Sequence, residues 1–347
     1  MKTGVTYIGV RDLDCIRMHM DSLASQGYTH VCHPYSETDY FYYRETMRDI
    51  IAISVAAGLA VYVSPCGIGK VFDGKSFSEL AFSNAKLSQV DNHGGRVSAA
   101  CLNNHHFQEY MRTWVEEVCQ TKVETILWDN PHFYSHHEKG QWCCRCETCQ
   151  KLFRKKIHHA MPNSLTNSVQ KFRDSSLFEI LSELTGLVHI KKKRNAVCLV
   201  SPEENGTQKL WEDIAELPSV DEMVVKPFWK RTDKSADIVR TYHECSKKLL
   251  QLTSQFGKEG QIWVKNFSIE KNSEECVAEA TYAAYNEGIR NIFSWSYKGS
   301  QSMSKYRCDN PDRVWKIQTD AFSECRDKAI INEMIVTMQA IKSEKGL

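Results

Sequence analysis

Apolar residues recur along this chain in two alternating rhythms. Short, near-continuous apolar runs occupy positions 5–9, 30–33, 60–64, 125–129, 196–200, 222–225, 261–266 and 291–296. Runs of that length without polar alternation suit strands buried on both faces. Between them, apolar positions three and four apart mark amphipathic helices. Met47, Ile50, Ile51 and Val55 keep that spacing before Gly58, and Phe107, Met111, Trp114, Val115 and Val118 keep it before the fourth strand. Segments 175–188, 236–256 and 273–287 repeat the scheme, and 312–322 and 329–342 complete it. Eight β-then-α units predict one α/β domain over residues 1–347, a (β/α)8 TIM barrel rather than a doubly wound sheet. No Gly-x-Gly-x-x-Gly follows the first strand, which counts against a dinucleotide fold, and Gly67-x-Gly69 is too short a match to weigh.

The spacing is uneven. Residues 65–124 separate the third and fourth strands, and residues 130–195 the fourth and fifth. In a barrel such excess belongs to the βα loops at the C-terminal face, where active sites are built. Long third and fourth loops are therefore expected to carry the site.

Composition narrows the function classes. The 347 residues are 42% hydrophobic and 25% charged, with 44 Lys+Arg against 43 Asp+Glu. So balanced a charge gives no field for nucleic acid or anionic membrane. The one basic run, Lys191 to Arg194, reads as a solvated helix end, where cations are favoured. No apolar stretch approaches the roughly 20 residues of a membrane helix, and the N-terminus lacks the apolar core of a signal peptide. Several of the 14 cysteines, among them Cys32, Cys119 and Cys198, sit in apolar runs, where a reduced thiol packs as a small hydrophobe. A cytoplasmic protein is expected; self-association into a homo-oligomer is left open.

The clustered cysteines read differently. Cys144-x-Cys146-x-x-Cys149 offers three thiolates close enough to share one tetrahedral ion, and a structural zinc wants four ligands. Cys143, His136, His137, His158 and His159 are local candidates for the fourth; Cys101, in the long third loop, is a distant one that fits better. Here the sequence resembles the family 42 glycoside hydrolases, β-galactosidases of the clan A barrels. These carry a Cys-Pro-Asn segment, a fourth-strand Asn-Glu, and then Cys-x-Cys-x-x-Cys leading into Phe. The matching residues are Cys101-Leu102-Asn103, Asp129-Asn130, the three clustered cysteines and Phe153. The resemblance implies a structural Zn2+ on Cys101, Cys144, Cys146 and Cys149. Trp128-Asp129-Asn130-Pro131-His132-Phe133-Tyr134, followed by Trp142-x-Cys144-x-Cys146, is also similar to a group of bacterial glycosidase-like barrels. In that group the fourth strand ends in Trp-Asp-Glu-Pro-His-Phe-Tyr.

Clan A barrels use a fourth-strand glutamate as acid/base and a seventh-strand glutamate as nucleophile. This chain departs at both places: Asn130 holds the first position, and Trp263 to Phe267 has no carboxylate before Glu270. Asp129, at the strand end, is then the candidate catalytic group, against a purely structural anchoring role. Glu37, Glu203 and Glu204 are further carboxylates near strand ends, each also readable as a solvated surface group. His33 and His132 can hydrogen-bond a ligand or serve as general acid/base, or be satisfied rim histidines. Tyr35, Trp128, Tyr134, Phe228, Trp229, Trp295 and Tyr297 cluster at strand ends, where ring faces suit the C–H faces of sugars. Asn130 and Asn266 add amides for orienting hydroxyls. Lys226, Lys265 and Lys298 suit an anionic ligand or, buried, a Schiff base.

The sequence thus predicts a barrel that binds a small carbohydrate. His33, Glu37, Trp128, Asn130, His132, Tyr134, Trp229, Asn266 and Trp295 are the expected substrate contacts, and glycoside hydrolysis through Asp129 is the leading reaction. A carbohydrate-binding barrel without catalysis, or a lyase or isomerase using Lys or His, are the alternatives.

Overall fold

A computed structural model describes residues 1–74, 76–134, 140–199 and 208–344. Among the described residues there are ten strands: β1 (Lys2–Thr6), β2 (His30–Pro34), β3 (Ala60–Ser64), β4 (Ser88–Val90), β5 (Arg96–Ala100), β6 (Thr125–Asp129), β7 (Arg194–Cys198), β8 (Glu222–Val225), β9 (Glu259–Lys265) and β10 (Asn291–Trp295). Eight of them close a parallel barrel in the order β1-β10-β9-β8-β7-β6-β3-β2. The other two, β4 and β5, form an antiparallel ribbon in the third βα loop.

The helices are α1 (Leu13–Ser25), α2 (Glu37–Tyr42), α3 (Arg44–Ala56), α4 (Glu79–Ser83), α5 (His105–Cys119), α6 (Glu147–Ile157), α7 (Asn167–Ile190), α8 (Gln208–Glu216), α9 (Ser235–Phe256), α10 (Cys276–Asn286) and α11 (Pro311–Glu344). This is the expected (β/α)8 barrel with long third and fourth loops. Among the described residues, no helix is long and apolar enough to cross a membrane.

Alternate residues of each barrel strand point inward. Tyr62, Trp263 and Phe293 fill most of the interior, with Cys32, Leu127, Cys198 and Val224 around them. Gly4 makes room for this filling, since a Cβ there would lie 2.6 Å from the Phe293 ring. The outward set, including Val31, Ile126 and Ile262, packs beneath the helices.

At the N-terminal end, a buried carboxylate gathers the strand starts. Glu222 accepts from the Tyr62 hydroxyl at 2.8 Å, Arg194 at 3.1 Å, Asn291 at 3.1 Å and Lys2 at 3.3 Å. Three strands therefore begin earlier than hydrophobicity predicts. β1 starts at Lys2 rather than position 5, β7 at Arg194 and β9 at Glu259, because charged first residues join this network instead of an apolar face. Ending β1 at Thr6 releases Tyr7 to Arg11 into the first loop. The two predicted C-terminal segments are one helix: α11 continues through Cys325, which is buried, and Arg326, which donates to the Gln26 carbonyl at 3.2 Å.

Two buried histidines of β2 make stability depend on pH. Burial lowers His30 to about 4 and His33 to about 3. The unfolded chain takes up these protons near the ordinary value of about 6.5, while the folded chain refuses them until lower pH. Stability present above pH ~6.5 is therefore lost progressively toward pH 4 and 3. Urea midpoints should fall between pH 7.5 and pH 5, and His33→Gln should flatten that fall.

Candidate functional site

A cavity of about 630 Å3 opens at the C-terminal mouth of the barrel. Its floor carries an ion pair between Asp129, the last residue of β6, and Lys226, which follows β8. Both side chains are largely buried, at 14% and 13% exposure. Burial pushes the Asp129 carboxyl up, opposed by Lys226 and reinforced by the nearby Asp73 carboxylate. Burial alone would lower Lys226, but its negative neighbours, Asp129 first and Asp73 among them, together outweigh it and hold the ammonium protonated. Asp73 reaches the site through the third loop, its backbone N–H donating to the Asp129 carbonyl at 2.8 Å.

One wall is aromatic. Phe267 packs edge-to-face on Trp295 at 4.7 Å, on Phe228 at 5.2 Å and on Tyr306 at 5.7 Å between ring centroids. Edge-to-face contacts lock these rings and leave an apolar surface toward the cavity. An ion pair also lines the cavity: Arg11 of the first loop pairs with Asp39 of α2, whose other oxygen accepts from the Ser36 N–H at 2.9 Å and hydroxyl at 2.8 Å. That contact is also the capping box that starts α2.

Of the expected site residues, Asp129, His33 and Trp295 border the cavity. The others lie away from it, each for a local reason. Trp128, beside Asp129, points outward: its indole N–H donates to Asn195 Oδ1 at 2.8 Å, and its ring lies against Phe72 and Trp114 under the helices. Asn130 takes a left-handed turn with φ +47°, its N–H bound to the Cys198 carbonyl and its amide oxygen buried without a partner. His132 folds back on the Asn130 carbonyl at 2.7 Å, and the Tyr134 N–H donates to Gln89 Oε1 at 3.0 Å. Trp229 packs on Tyr242, and Asn266 is wholly buried, its carbonyl accepting from the Cys308 thiol.

Other candidates also lie elsewhere. Lys265 donates to the Trp229 carbonyl at 2.9 Å, Lys298 stacks on Tyr297, Tyr35 packs on Trp114, and Glu270 pairs with Arg231. Glu203, Glu204, His136 and His137 fall outside the described residues. Sequence reasoning missed Arg11, Asp39, Asp73, Trp263, Phe267 and Tyr306 as cavity residues. Only Asp39 carried a local signal, three residues after Ser36 in a capping pattern.

A second cluster lies in the same loops. The sulfurs of Cys101, Cys144, Cys146 and Cys149 all lie within 4.8 Å of one another, with Cys101 3.4 Å from Cys149 and 3.5 Å from Cys146. A tetrahedron with metal–sulfur bonds of about 2.3 Å has edges of about 3.8 Å, so the set fits one thiolate-bound ion. Donors already surround it. The Cys146 N–H reaches Cys144 Sγ at 3.4 Å, the Val90 N–H reaches the same sulfur at 3.5 Å, and Asn103 Nδ2 reaches Cys149 Sγ at 3.3 Å. Cys101 comes from the end of the β4–β5 ribbon and the other three from the segment entering α6, so the cluster joins the third loop to the fourth.

With this geometry in view, the fold can be compared with solved structures. The endo-1,4-β-mannanase of Rhizomucor miehei aligns with a TM-score of 0.61 at 10% identity, over 94% of this chain and 95% of that one. GH5_18 from Streptomyces cattleya, in complex with GlcNAc, gives 0.59 at 13% over 94% and 80%. The catalytic domain of β-amylase from Paenibacillus polymyxa gives 0.58 at 11% over 92% and 94%. The chain shares its fold with glycoside-hydrolase barrels. No family model and no curated protein matches its sequence.

Glu37 has a different place from the one expected. It is 2% exposed and clamps the third loop, accepting from the Gly69 N–H at 2.7 Å, the Ser78 hydroxyl at 2.7 Å and the Leu80 N–H at 3.0 Å. Glu37→Ala should cost about 2–4 kcal/mol in urea unfolding, since three buried donors lose a charged acceptor. Hydrogen exchange at the Gly69 and Leu80 amides should accelerate.

Proposed function

We propose that this protein is a carbohydrate-active barrel, holding a sugar in the C-terminal cavity and hydrolysing a glycosidic bond with Asp129 as its central catalytic group. The observation that carries this reading is a largely buried carboxylate facing an aromatic wall across a cavity of sugar-compatible size. Ring faces such as that of Trp295 suit the apolar faces of a pyranose, while Asp129, Asp73 and Lys226 offer partners for its hydroxyls. A carboxylate in this position can stabilise the positive charge that develops at an anomeric carbon. Burial also raises its pKa above the ordinary aspartate value, the direction that a proton-carrying role needs. The resemblance to family 42 and to the Trp-Asp-Glu-Pro-His-Phe-Tyr barrels supports the same class.

A second reading, sugar binding without turnover, has its own support. The acid/base position holds an amide, Asn130, that does not border the cavity, the Trp263 to Phe267 segment offers no carboxylate, and Lys226 neutralises Asp129. One comparison separates the two. On any glycoside the native protein hydrolyses, Asp129→Asn should lower kcat at least ~100-fold with folding unchanged. A variant that keeps full activity would remove Asp129 from the mechanism, and ligand binding without turnover of any glycoside would favour the second reading.

The ion that the cysteine set best suits is zinc, held structurally, because four thiolates leave no open position for water or substrate. The fourteen free cysteines are in keeping with a reducing cytoplasm. Elemental analysis of purified protein should find one zinc per chain. Cys101→Ser should lower zinc retention against a chelator and loosen both loops, and scattered or disulfide-bonded sulfurs would overturn the assignment.

A further inference from the structure

The cavity is not confined to the barrel mouth. Neighbouring residues on a strand face opposite sides of the sheet, so two of them can border one space where it passes over the end of the strand. Cys32 and His33 of β2 do this. Cys32 lies among the interior residues of the barrel, whereas His33 turns to the helix layer, with Nε2 2.9 Å from the Ser54 hydroxyl of α3. Met47 and Ile50, buried on the face of α3 that covers the sheet, border the same cavity. The space therefore has two arms, one over Asp129 and Lys226 and one between the end of β2 and α3.

The arms differ in chemistry. Ile8, Val10, Pro34, Met47 and Ile50 give the side arm an apolar lining. Its polar groups already satisfy one another. His33 is held by Ser54 and kept neutral by burial, the Tyr7 hydroxyl meets His19 Nδ1 at 2.8 Å, and Arg11 neutralises Asp39. A polar ligand group entering here would lose water and find few free partners, while an apolar group gains by burial. At the mouth, Asp129 and Lys226 share only one ion pair and Asp73 is exposed, so polar atoms find partners there.

We propose that the cavity takes a two-part ligand, a sugar ring at Asp129 and Lys226 and an apolar aryl or alkyl aglycone in the arm between β2 and α3. This rests on the sugar reading above and adds the class of glycoside. The test titrates the full chain, by calorimetry, with matched methyl and 4-nitrophenyl glycosides of glucose, galactose and mannose in both anomeric forms. For a sugar that binds, the 4-nitrophenyl form should bind at least roughly tenfold tighter than the methyl form, from burial of the ring. Ile50→Trp and Met47→Phe, which fill the arm, should erase that preference while leaving the affinity for the methyl form within about twofold. Thermal melting checks that each variant is folded, and either one alone suffices. Equal affinity of the two forms, or a preference that survives in a folded variant, overturns the two-part ligand and leaves the sugar reading standing. Absence of binding by both forms of all three sugars overturns the sugar reading and this inference with it.

Discussion

The closed parallel ring imposes a two-residue alternation from which most of this structure follows. Each barrel strand sends one residue inward and the next outward, and a one-residue slip would exchange the two sets. The interior holds Tyr62, Trp263 and Phe293 only because Gly4 has no side chain beneath Phe293. The same alternation decides what reaches the ligand. Asp129 and Trp295 face the cavity, while Trp128 and its hydrogen bond to Asn195 serve the sheet–helix interface.

The barrel places a buried carboxylate near each end and treats the two differently. Glu222, at the N-terminal end, is surrounded by donors from several strands, so a change in its partners is a change in stability. Asp129, at the C-terminal end, has one cationic partner and an open side toward the cavity. A carboxylate saturated by its own fold is unavailable for chemistry. One left partly satisfied is where perturbed ionisation and ligand recognition coincide.

How much of this was legible in the sequence depends on which force set each residue. The eight strands were readable because burial on both faces demands apolar runs. Their first residues were not, because Lys2, Arg194 and Glu259 are charged and are held by pairing rather than by burial. The cysteine set was readable because metal-ligand spacing is a local constraint, and the distant Cys101 came from its place in the long third loop together with the resemblance. The outward turn of Trp128 could have been found by applying strict strand alternation back from an inward Asp129. Arg11 and Asp73 could not be found as cavity residues, and Asp39 only as a helix cap. They stand on loops or beyond strand ends, and tertiary contacts rather than a repeating pattern aim their side chains.

Glu37 bears on how the mouth meets a ligand. It stands on α2, in the second loop, and fixes the third; the cysteine set in turn joins the third loop to the fourth. The second and third loops are thereby held together before anything binds, and the cysteine set packs the segment entering α6 against the third. The conformational entropy of ordering them is lost during folding, not at association. A ligand arriving at that half of the rim finds it already arranged, so its affinity reflects its contacts there with little deduction for restraining the chain.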